Sequence, residues 1–497
     1  MQERSLNEVF SGIREPRIAV VGDCMLDQYV WGKVERISPE GPFPVLRSDR
    51  TEVRLGGAGN VVTNLSALGA QVSFFSAVGV DPQGDTTLRL LEEAGCRGGK
   101  VSRLDGHRTT VKTRHIGYVQ HADRAMQQLL RVDTEDTAAL KTESAEALLE
   151  AIEAQLDDID ALLISDYNKG LLTDFFLDRL LRLAAGRVPV LTDPARIQDY
   201  EQYRGTYLIC PNRYETGLAT GLSCDDPERC RAAGEQLAAM YGVEYVAVTM
   251  DRDGIYLCRA DGNSHHYSTQ ARLVTDVTGA GDMVLSMLGF VTAGGGTLAE
   301  AVRLANVAAG IAIRRMGAVP ISRQELFAEL LYCGYSGAVK IATLDQLRDK
   351  ARDLRANGNT IVLTNGCFDL LHFGHHYLLN QARQLGDCLV VAVNSDESIR
   401  RLKGPNRPVF KENERMLMLS GLESVDYVVL FDEDTPIPLL EELRPEVLVK
   451  GSEYRSGIVV GREVVEAYGG RVELIEQVPG ISTSALLERR GSAGNLG

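Results

Sequence analysis

Short apolar runs recur along the chain with helical stretches between them, and this alternation limits the possible folds more than any other feature. The runs include residues 17–22 (RIAVVG), 72–79 (VSFFSAVG), 161–165 (ALLIS), 188–192 (VPVLT), 245–249 (YVAVT), 360–364 (TIVLT), 388–394 (CLVVAVN) and 447–450 (VLVK). Several are apolar without alternation, as in strands covered on both faces. The segments between them, such as 88–94 and 377–385, have helical spacing. Strand–helix alternation of this kind predicts an α/β fold with a largely parallel sheet and helices on both sides. Residues 29–53 depart from it: two β-like runs flank a Pro/Gly turn, which predicts an antiparallel hairpin projecting from the main sheet.

A chain of 497 residues is too long for one core. A helical stretch over 323–333 ends in Gly-Tyr-Ser-Gly-Ala, and a new helix begins at Thr343, with Gln346 at the capping-box spacing. The expected division is a first domain over 1–335, a linker over 336–343 and a second domain over 344–497. Hydrophobic residues at 44% and charged residues at 24% exclude a mainly disordered chain. A net charge of −15 argues against a nucleic-acid partner. The N-terminal MQERSLNEVF lacks a signal-peptide core, and no apolar run reaches the ~18 residues that span a bilayer. Nine scattered cysteines without a C-x-x-C pair complete the expectation of a cytoplasmic protein with free thiols and no membrane partner.

The strongest motif of the first part is Asp276-Val-Thr-Gly-Ala-Gly-Asp282, followed by the apolar run MVLSMLGFV. Small residues let backbone approach a ligand closely, and a helix starting there aims N–H groups and its positive dipole end at an anion. Asp282, at the helix start, is placed to act as a base toward a hydroxyl beside that anion. The bland alternative is a Gly-rich helix cap. The third Gly of the dinucleotide fingerprint is missing, and no G-K-[ST] of a Walker A loop occurs. Gly56-Gly57-Ala-Gly-Asn60 opens a helix after the hairpin, Asp23 and Asp27 follow the first strand, and Asn212-Arg213-Tyr214-Glu215 follows a strand and a Pro.

Together these residues resemble the ribokinase-like sugar kinase family over about residues 15–330. The resemblance implies a three-layer α/β/α domain whose hairpin is a lid and a homodimer contact. It implies an anion hole of Gly279, Ala280 and Gly281, with Asp282 as catalytic base. Asn212, Arg213, Tyr214 and Glu215 would organise ATP, with Glu215 acting on Mg2+ through water. Asp23, Asp27, Gly57 and Asn60 would bind the sugar. Lys112, Arg114 and Lys169 are candidates for a second phosphate on that sugar, against a plainer reading as solvated surface charges. At Asp193-Pro-Ala195 the chain departs from close relatives, which carry Lys after D-P.

In the second part, three of the eight histidines fall in His372-Phe-Gly-His375-His376. A strand ends at Thr364-Asn365-Gly366, a turn carries Phe368, Asp369 and His372, and a helix begins near Gly374. Imidazoles at i and i+3 face the same way, and both can donate to phosphate oxygens. Zinc is disfavoured, because the H-E-x-x-H spacing is absent and no Cys pair completes a ligand set. The segment resembles the H-x-G-H nucleotidyltransferase superfamily in its cytidylyltransferase-like branch, which implies a Rossmann-like α/β domain. In that branch the first His contacts nucleotide phosphates and the second stabilises the α-phosphate transition state. Nucleotide and phosphate contacts are then expected from Asn365, Gly366, Phe368, Asp369, Lys403, Arg407, Arg415, Lys450, Glu453, Ser482, Thr483 and Ser484. Related cytidylyltransferases have an Arg ahead of G-I-S-T, where this chain has Gln477-Val-Pro.

The two halves in this order resemble the family of bifunctional heptose 7-phosphate kinase/heptose 1-phosphate adenylyltransferases. That resemblance implies ATP as substrate of both steps, Mg2+, and small sugar phosphates as partners. Two alternatives stay open at the level of sequence: the same two chemistries on a different sugar phosphate, or a ligand-sensing protein with one degenerate half.

Overall fold

The run RIAVVG becomes the strand Arg17–Gly22, in which every residue after Arg17 is buried. It lies inside a nine-stranded sheet, and its burial on both faces explains its lack of alternation. The computed structural model describes residues 5–118, 126–269, 276–334, 340–451 and 459–476. The chain separates into two units, Met1–Leu330 and Leu331–Gly497, each with its own sheets and core.

In the first unit the large sheet runs, edge to edge, His265–Tyr267, Ile255–Cys258, Tyr245–Thr249, Leu208–Ile209, Val190–Asp193, Ala161–Ser165, Arg17–Gly22, Gln71–Gly79 and Gly98–Leu104. Pairing is parallel except among the first three strands. Successive side chains of a strand point to opposite faces. Ile18 and Val20 therefore join one core with Leu65, Leu163 and Leu288, while Ala19 and Val21 join the other with Ile164, Phe176 and Leu237. The helix Ala280–Ala293 lies close on the sheet because Gly289 faces Leu163. A Cβ at position 289 would sit 2.6 Å from a Leu163 methyl, so a larger residue would push the helix and its N-terminus outward.

The hairpin is longer than the sequence suggests and has company. Cys24–Ile37 pairs antiparallel with Pro44–Gly57 and, on its other edge, parallel with Thr110–Tyr118, which pairs antiparallel with Met126–Thr134. The result is a separate four-stranded sheet. Its small core is aromatic: Trp31 stacks between Tyr29 and Tyr118, with ring centroids 6.3 and 6.2 Å away, pairs worth about 0.5–1.5 kcal/mol each beyond area burial. Only Asp23 separates the strand Arg17–Gly22 of one sheet from Cys24–Ile37 of the other.

In the second unit a five-stranded, all-parallel sheet runs Tyr427–Phe431, Cys388–Asn394, Ile361–Gly366, Val447–Gly451 and Arg471–Ile475. Strand order reverses beside Ile361–Gly366, which places the ligand crevice of such a sheet at the carboxyl end of that strand. Ile361 and Leu363 face one core, and Val362 faces the other. Thr343 caps the helix Leu344–Ala356 in a capping box with Gln346, as the spacing predicts. Among the described residues no helix is long and apolar enough to cross a membrane.

Candidate functional site

Gly279 is the N-cap of Ala280–Ala293, with φ 78°, and no side chain caps the helix. That backbone conformation favours glycine, and a Cβ there would meet the Asn60 amide nitrogen at 2.9 Å. The loop before it is shaped by Asp276, whose carboxylate accepts from Thr278 N, Thr278 Oγ1 and Gly317 N. Ala280 N donates to Val277 O at 3.2 Å, a bond it would exchange for a ligand, while no side chain takes the other N–H groups of the first turn and its positive dipole end is directed at a ligand position.

Asp282, 5% exposed, lies in that turn. Asn60 Nδ2 donates to its Oδ2 at 2.7 Å, and the Tyr167 hydroxyl donates to its Oδ1 at 2.8 Å. Burial pushes its carboxyl up to about 6, and the hydrogen bonds from Asn60 and Tyr167 oppose that rise. Asn60 thus serves the expected base directly. Gly57 caps the helix Ala58–Leu68.

The remaining residues expected around the sugar divide into engaged and accessible groups. Asp23 accepts the N–H groups of Tyr167 and Lys169 at 3.0 and 3.1 Å and so clamps the loop after Ala161–Ser165. Asp27 and Arg114 form a buried ion pair at 2.5 Å, and Lys169 is paired with Glu135 at 2.6 Å. Lys112 stands over the Tyr167 ring, 5.0 Å from its centroid, and burial lowers its ammonium below the usual lysine range.

Asn212-Arg-Tyr-Glu215 is a capping box. Asn212 Oδ1 accepts from Glu215 N at 2.9 Å, and Glu215 Oε2 accepts from Asn212 N at 3.0 Å. Arg213 turns away, donating to Met250 O and Asp253 and reaching Asp251 at 3.2 Å. Tyr214 is 61% exposed, with the Arg196 guanidinium 5.2 Å over its ring and Arg196 Nε 3.7 Å from Glu215. Asp166, Asp193 and Arg196 also stand in this neighbourhood, and the sequence gives none of them a site role, although Asp193 opens the D-P-A departure. Asp193 ends its strand, and burial, then Glu215, Asp282 and Asp166, hold its carboxyl well above the usual range. Asp166, bonded to the Tyr203 hydroxyl at 2.7 Å, is pushed up to about 7 by burial and by Asp23. The available signal was their place: both sit at the carboxyl ends of parallel strands, where such sheets gather ligand groups.

In the second unit His372 caps Phe373–Arg383 with extended backbone and no side-chain hydrogen bond to the helix. The His372 and His375 rings stack at 3.9 Å, and Phe368 lies 5.2 Å from His375. Nδ1 of both histidines is buried without a hydrogen-bond partner among the described residues. Burial lowers His372, and burial with the neighbouring His372 and Lys403 lowers His375 to about 4. Two neutral imidazoles thus lie at an uncapped helix N-terminus, with Lys403 close enough to be felt. Lys450 Nζ donates to Asn365 Oδ1 at 2.5 Å, and burial brings its ammonium down to about 8. Gly366 ends the strand Ile361–Gly366, whose carboxyl end opens on this turn.

Asp369 and the two arginines belong to the scaffold of this site. Asp369 accepts from Arg407 at 2.6 Å and from Val409 N at 2.6 Å, which holds the 407–410 segment against the histidine turn. Arg415, whose side chain is 0% exposed, donates to Cys367 O at 2.6 Å, Phe410 O at 3.0 Å and Asp396 at 2.8 Å. It is brought into the interior and presents no surface to a phosphate. Arg415→Met is expected to destabilise the second unit by about 3–5 kcal/mol, because Asp396 loses its counter-charge and two carbonyls lose their donor. Urea denaturation of the full chain followed by far-ultraviolet circular dichroism measures this. Glu453, Gln477, Ser482, Thr483 and Ser484 lie outside the described residues.

Comparison with known proteins assigns each part of the chain to a family. Residues 15–324 match the family model described as pfkB family carbohydrate kinase, and residues 363–489 match the model described as cytidylyltransferase-like. The bifunctional protein HldE of Citrifermentans bemidjiense is 44% identical over 492 residues, covering 98% of this chain and 99% of that protein. HldE of Syntrophotalea carbinolica is 43% identical, covering 98% of each. Among solved structures, Arabidopsis thaliana ribokinase complexed with ribose and ATP superposes with a TM-score of 0.51 at 18% identity, covering 64% of this chain and 99% of that one. Phosphofructokinase-2 from Escherichia coli in complex with potassium gives 0.52 at 19%, with 64% and 99% covered. At these identities the structures show a shared fold, while the relatives match nearly end to end. The chain belongs to the HldE family of bifunctional proteins, joining a pfkB-type carbohydrate kinase to a cytidylyltransferase-like nucleotidyltransferase.

Proposed function

We propose that the first unit transfers the γ-phosphoryl group of ATP to the anomeric hydroxyl of D-glycero-β-D-manno-heptose 7-phosphate. A separate phosphatase then removes the 7-phosphate. The second unit adenylylates the resulting heptose 1-phosphate to ADP-heptose and releases pyrophosphate. The observation that carries this reading is the presence, in one chain, of two unlike groups at uncapped helix N-termini: a buried carboxylate at one and a stacked histidine pair at the other.

In the kinase step Asp282 takes the proton as the sugar O–H bond breaks. That oxygen bonds to the γ-phosphorus while the bond to the leaving ADP oxygen breaks. Backbone N–H groups of Gly279, Ala280 and Gly281 stabilise the charge on the transferred group. Mg2+ fits this site as an ion held mainly by water and phosphate. Among the described residues no three ligating side chains converge, yet Asp193 is crowded by Glu215 and Asp282, a setting that a cation relieves. Glu215 would hold the ion through water, and the bound ion supplies positive charge to the ATP phosphates. In the second step a phosphate oxygen of the sugar attacks the α-phosphorus of ATP and the bond to pyrophosphate breaks. His372 and His375 donate to phosphate oxygens, with Lys403 and Lys450 adding charge. No enzyme nucleophile is needed.

We place the kinase over 1–335, a linker over 336–343 and the transferase over 344–497, in a cytoplasmic enzyme. Exposed Ile37, Leu130 and Val132 on the four-stranded sheet, with Phe43 in its hairpin turn, support the reading of this sheet as the contact of a homodimer. The decisive assay incubates the full chain with Mg-ATP and heptose 7-phosphate, with and without a sugar-phosphate phosphatase, and follows products by mass and phosphorus NMR. Heptose 1,7-bisphosphate is expected without the phosphatase and ADP-heptose with it. Neither product, with another sugar phosphate accepted instead, overturns the heptose reading.

A further inference from the structure

The loop that follows Ala161–Ser165 holds one residue against both working parts of the kinase site. Its backbone is fixed: Asp23 takes the N–H groups of Tyr167 and Lys169, Asp166 takes that of Asn168 at 2.8 Å, and Asn168 has φ 55°. The Tyr167 side chain is thereby aimed at Asp282, with its hydroxyl on Oδ1 while Asn60 holds Oδ2. Donors on two different oxygens fix both the position and the plane of a carboxylate. The face of the same ring carries the Lys112 ammonium at 5.0 Å. Arg114 and Lys169 are paired with Asp27 and Glu135, whereas among the described residues no carboxylate lies within ion-pair distance of Lys112. Of the three basic candidates, Lys112 is the one whose charge can meet an anionic group on the sugar.

We infer that Tyr167 is a positioning residue of the kinase: its hydroxyl sets the Asp282 carboxylate, and its ring seats Lys112 where the phosphate of the acceptor sugar arrives. The inference rests on the kinase reading above. A hydrogen bond to the charged form of a carboxylate favours that form, so loss of the hydroxyl raises the pH at which Asp282 ionises. The groups facing Asp282 are Asp27 with its partner Arg114, Lys112, Asp193, the Cys210 thiol and Tyr167 itself. None of the others loses a partner in Tyr167→Phe.

The test compares Tyr167→Phe and Tyr167→Leu in the full chain, with Mg-ATP and heptose 7-phosphate, across pH. Tyr167→Phe is expected to lower kcat about 10–100-fold and to move the acid limb of kcat/KM upward by about one unit. It should leave KM for the sugar phosphate within about twofold, since the ring remains. Tyr167→Leu is expected to add a rise of about tenfold in that KM. Unchanged fluorescence of Trp31, the chain's single tryptophan and buried in the first unit, establishes that the first unit of both variants is folded. A wild-type kcat with an unmoved acid limb in Tyr167→Phe overturns the first half of the inference. An unchanged KM in Tyr167→Leu overturns the second. Wild-type protein that fails to phosphorylate heptose 7-phosphate overturns the substrate reading instead, a result visible before either variant is assayed.

Discussion

Asp282→Asn is expected to lower phosphoryl transfer by about 10³-fold while adenylyl transfer to heptose 1-phosphate continues at the unaltered rate. The substitution keeps size and one acceptor oxygen but cannot accept the sugar proton. Asn60 and Tyr167 both donate to this group, so a neutral amide also leaves one of two buried donors facing an NH2. The pH dependence follows from the same carboxyl. Burial raises it to about 6, and a base works only when ionised. Kinase kcat/KM should therefore hold above that value and fall as pH drops below it. Rates for both steps, measured on one preparation between pH 5 and pH 9, check the prediction. Loss of both activities in Asp282→Asn would sink the assignment of two independent sites.

His375→Ala should give the mirror image: adenylyl transfer lower by about 10²–10³-fold, with phosphoryl transfer intact. His375 is packed between Phe368 and His372 at the start of a helix whose N-terminus no side chain caps. Burial, His372 and Lys403 keep its imidazole neutral at ordinary pH, yet a neutral imidazole still carries one N–H to donate. A polyphosphate seated there places negative charge beside the ring and draws its pKa back up, which matches donor strength to the moment when charge builds on the α-phosphate. His376, bonded to Asn380 at 3.0 Å, is outside this arrangement, and His376→Ala should retain nearly the full rate. Substantial ADP-heptose synthesis by His375→Ala would mean that the second histidine does not carry the transition state.

The sequence exposed those parts of the molecule whose cause is local. Strands buried on both faces, such as Ala161–Ser165 and Cys388–Asn394, have no polar residue to interrupt them until their ends. The two helix N-termini were legible because glycine conformation and uncapped N–H groups are written in consecutive residues. What escaped is written far apart. Tyr167 and Asp282 are 115 positions apart, and Asn60 and Asp282 are 222 apart. The strand Met126–Thr134 (MQQLLRVDT) carries charge and lies largely exposed in the four-stranded sheet, so it lacks the hydrophobic signature that marked its neighbours. Asn212-x-x-Glu215 shows a different difficulty: the letters that suit an ion site also spell the capping box that the structure forms, and the sequence carries both roles in the same residues. Arg415 read as a phosphate ligand because arginine so often is one, whereas its burial depends on Cys367, Phe410 and Asp396 converging on it.

The single residue between the two sheets of the first unit has a consequence for which changes this chain can tolerate. Gly22 ends one strand and Cys24 begins the next, and Asp23 between them is tied to the 167–169 loop. One extra residue at this joint would turn every later side chain of Cys24–Ile37 to the opposite face. Asp27 would leave Arg114, and the register that sets Asp27 opposite Lys112 would be lost together with the aromatic core around Trp31. Residues 39–42, at the tip between Ser38 and Phe43, carry no such parity constraint, and a change of length there leaves the faces of the strand as they are. Among descendants of this sequence, length variation should therefore collect at the tip of the hairpin and be absent at its root.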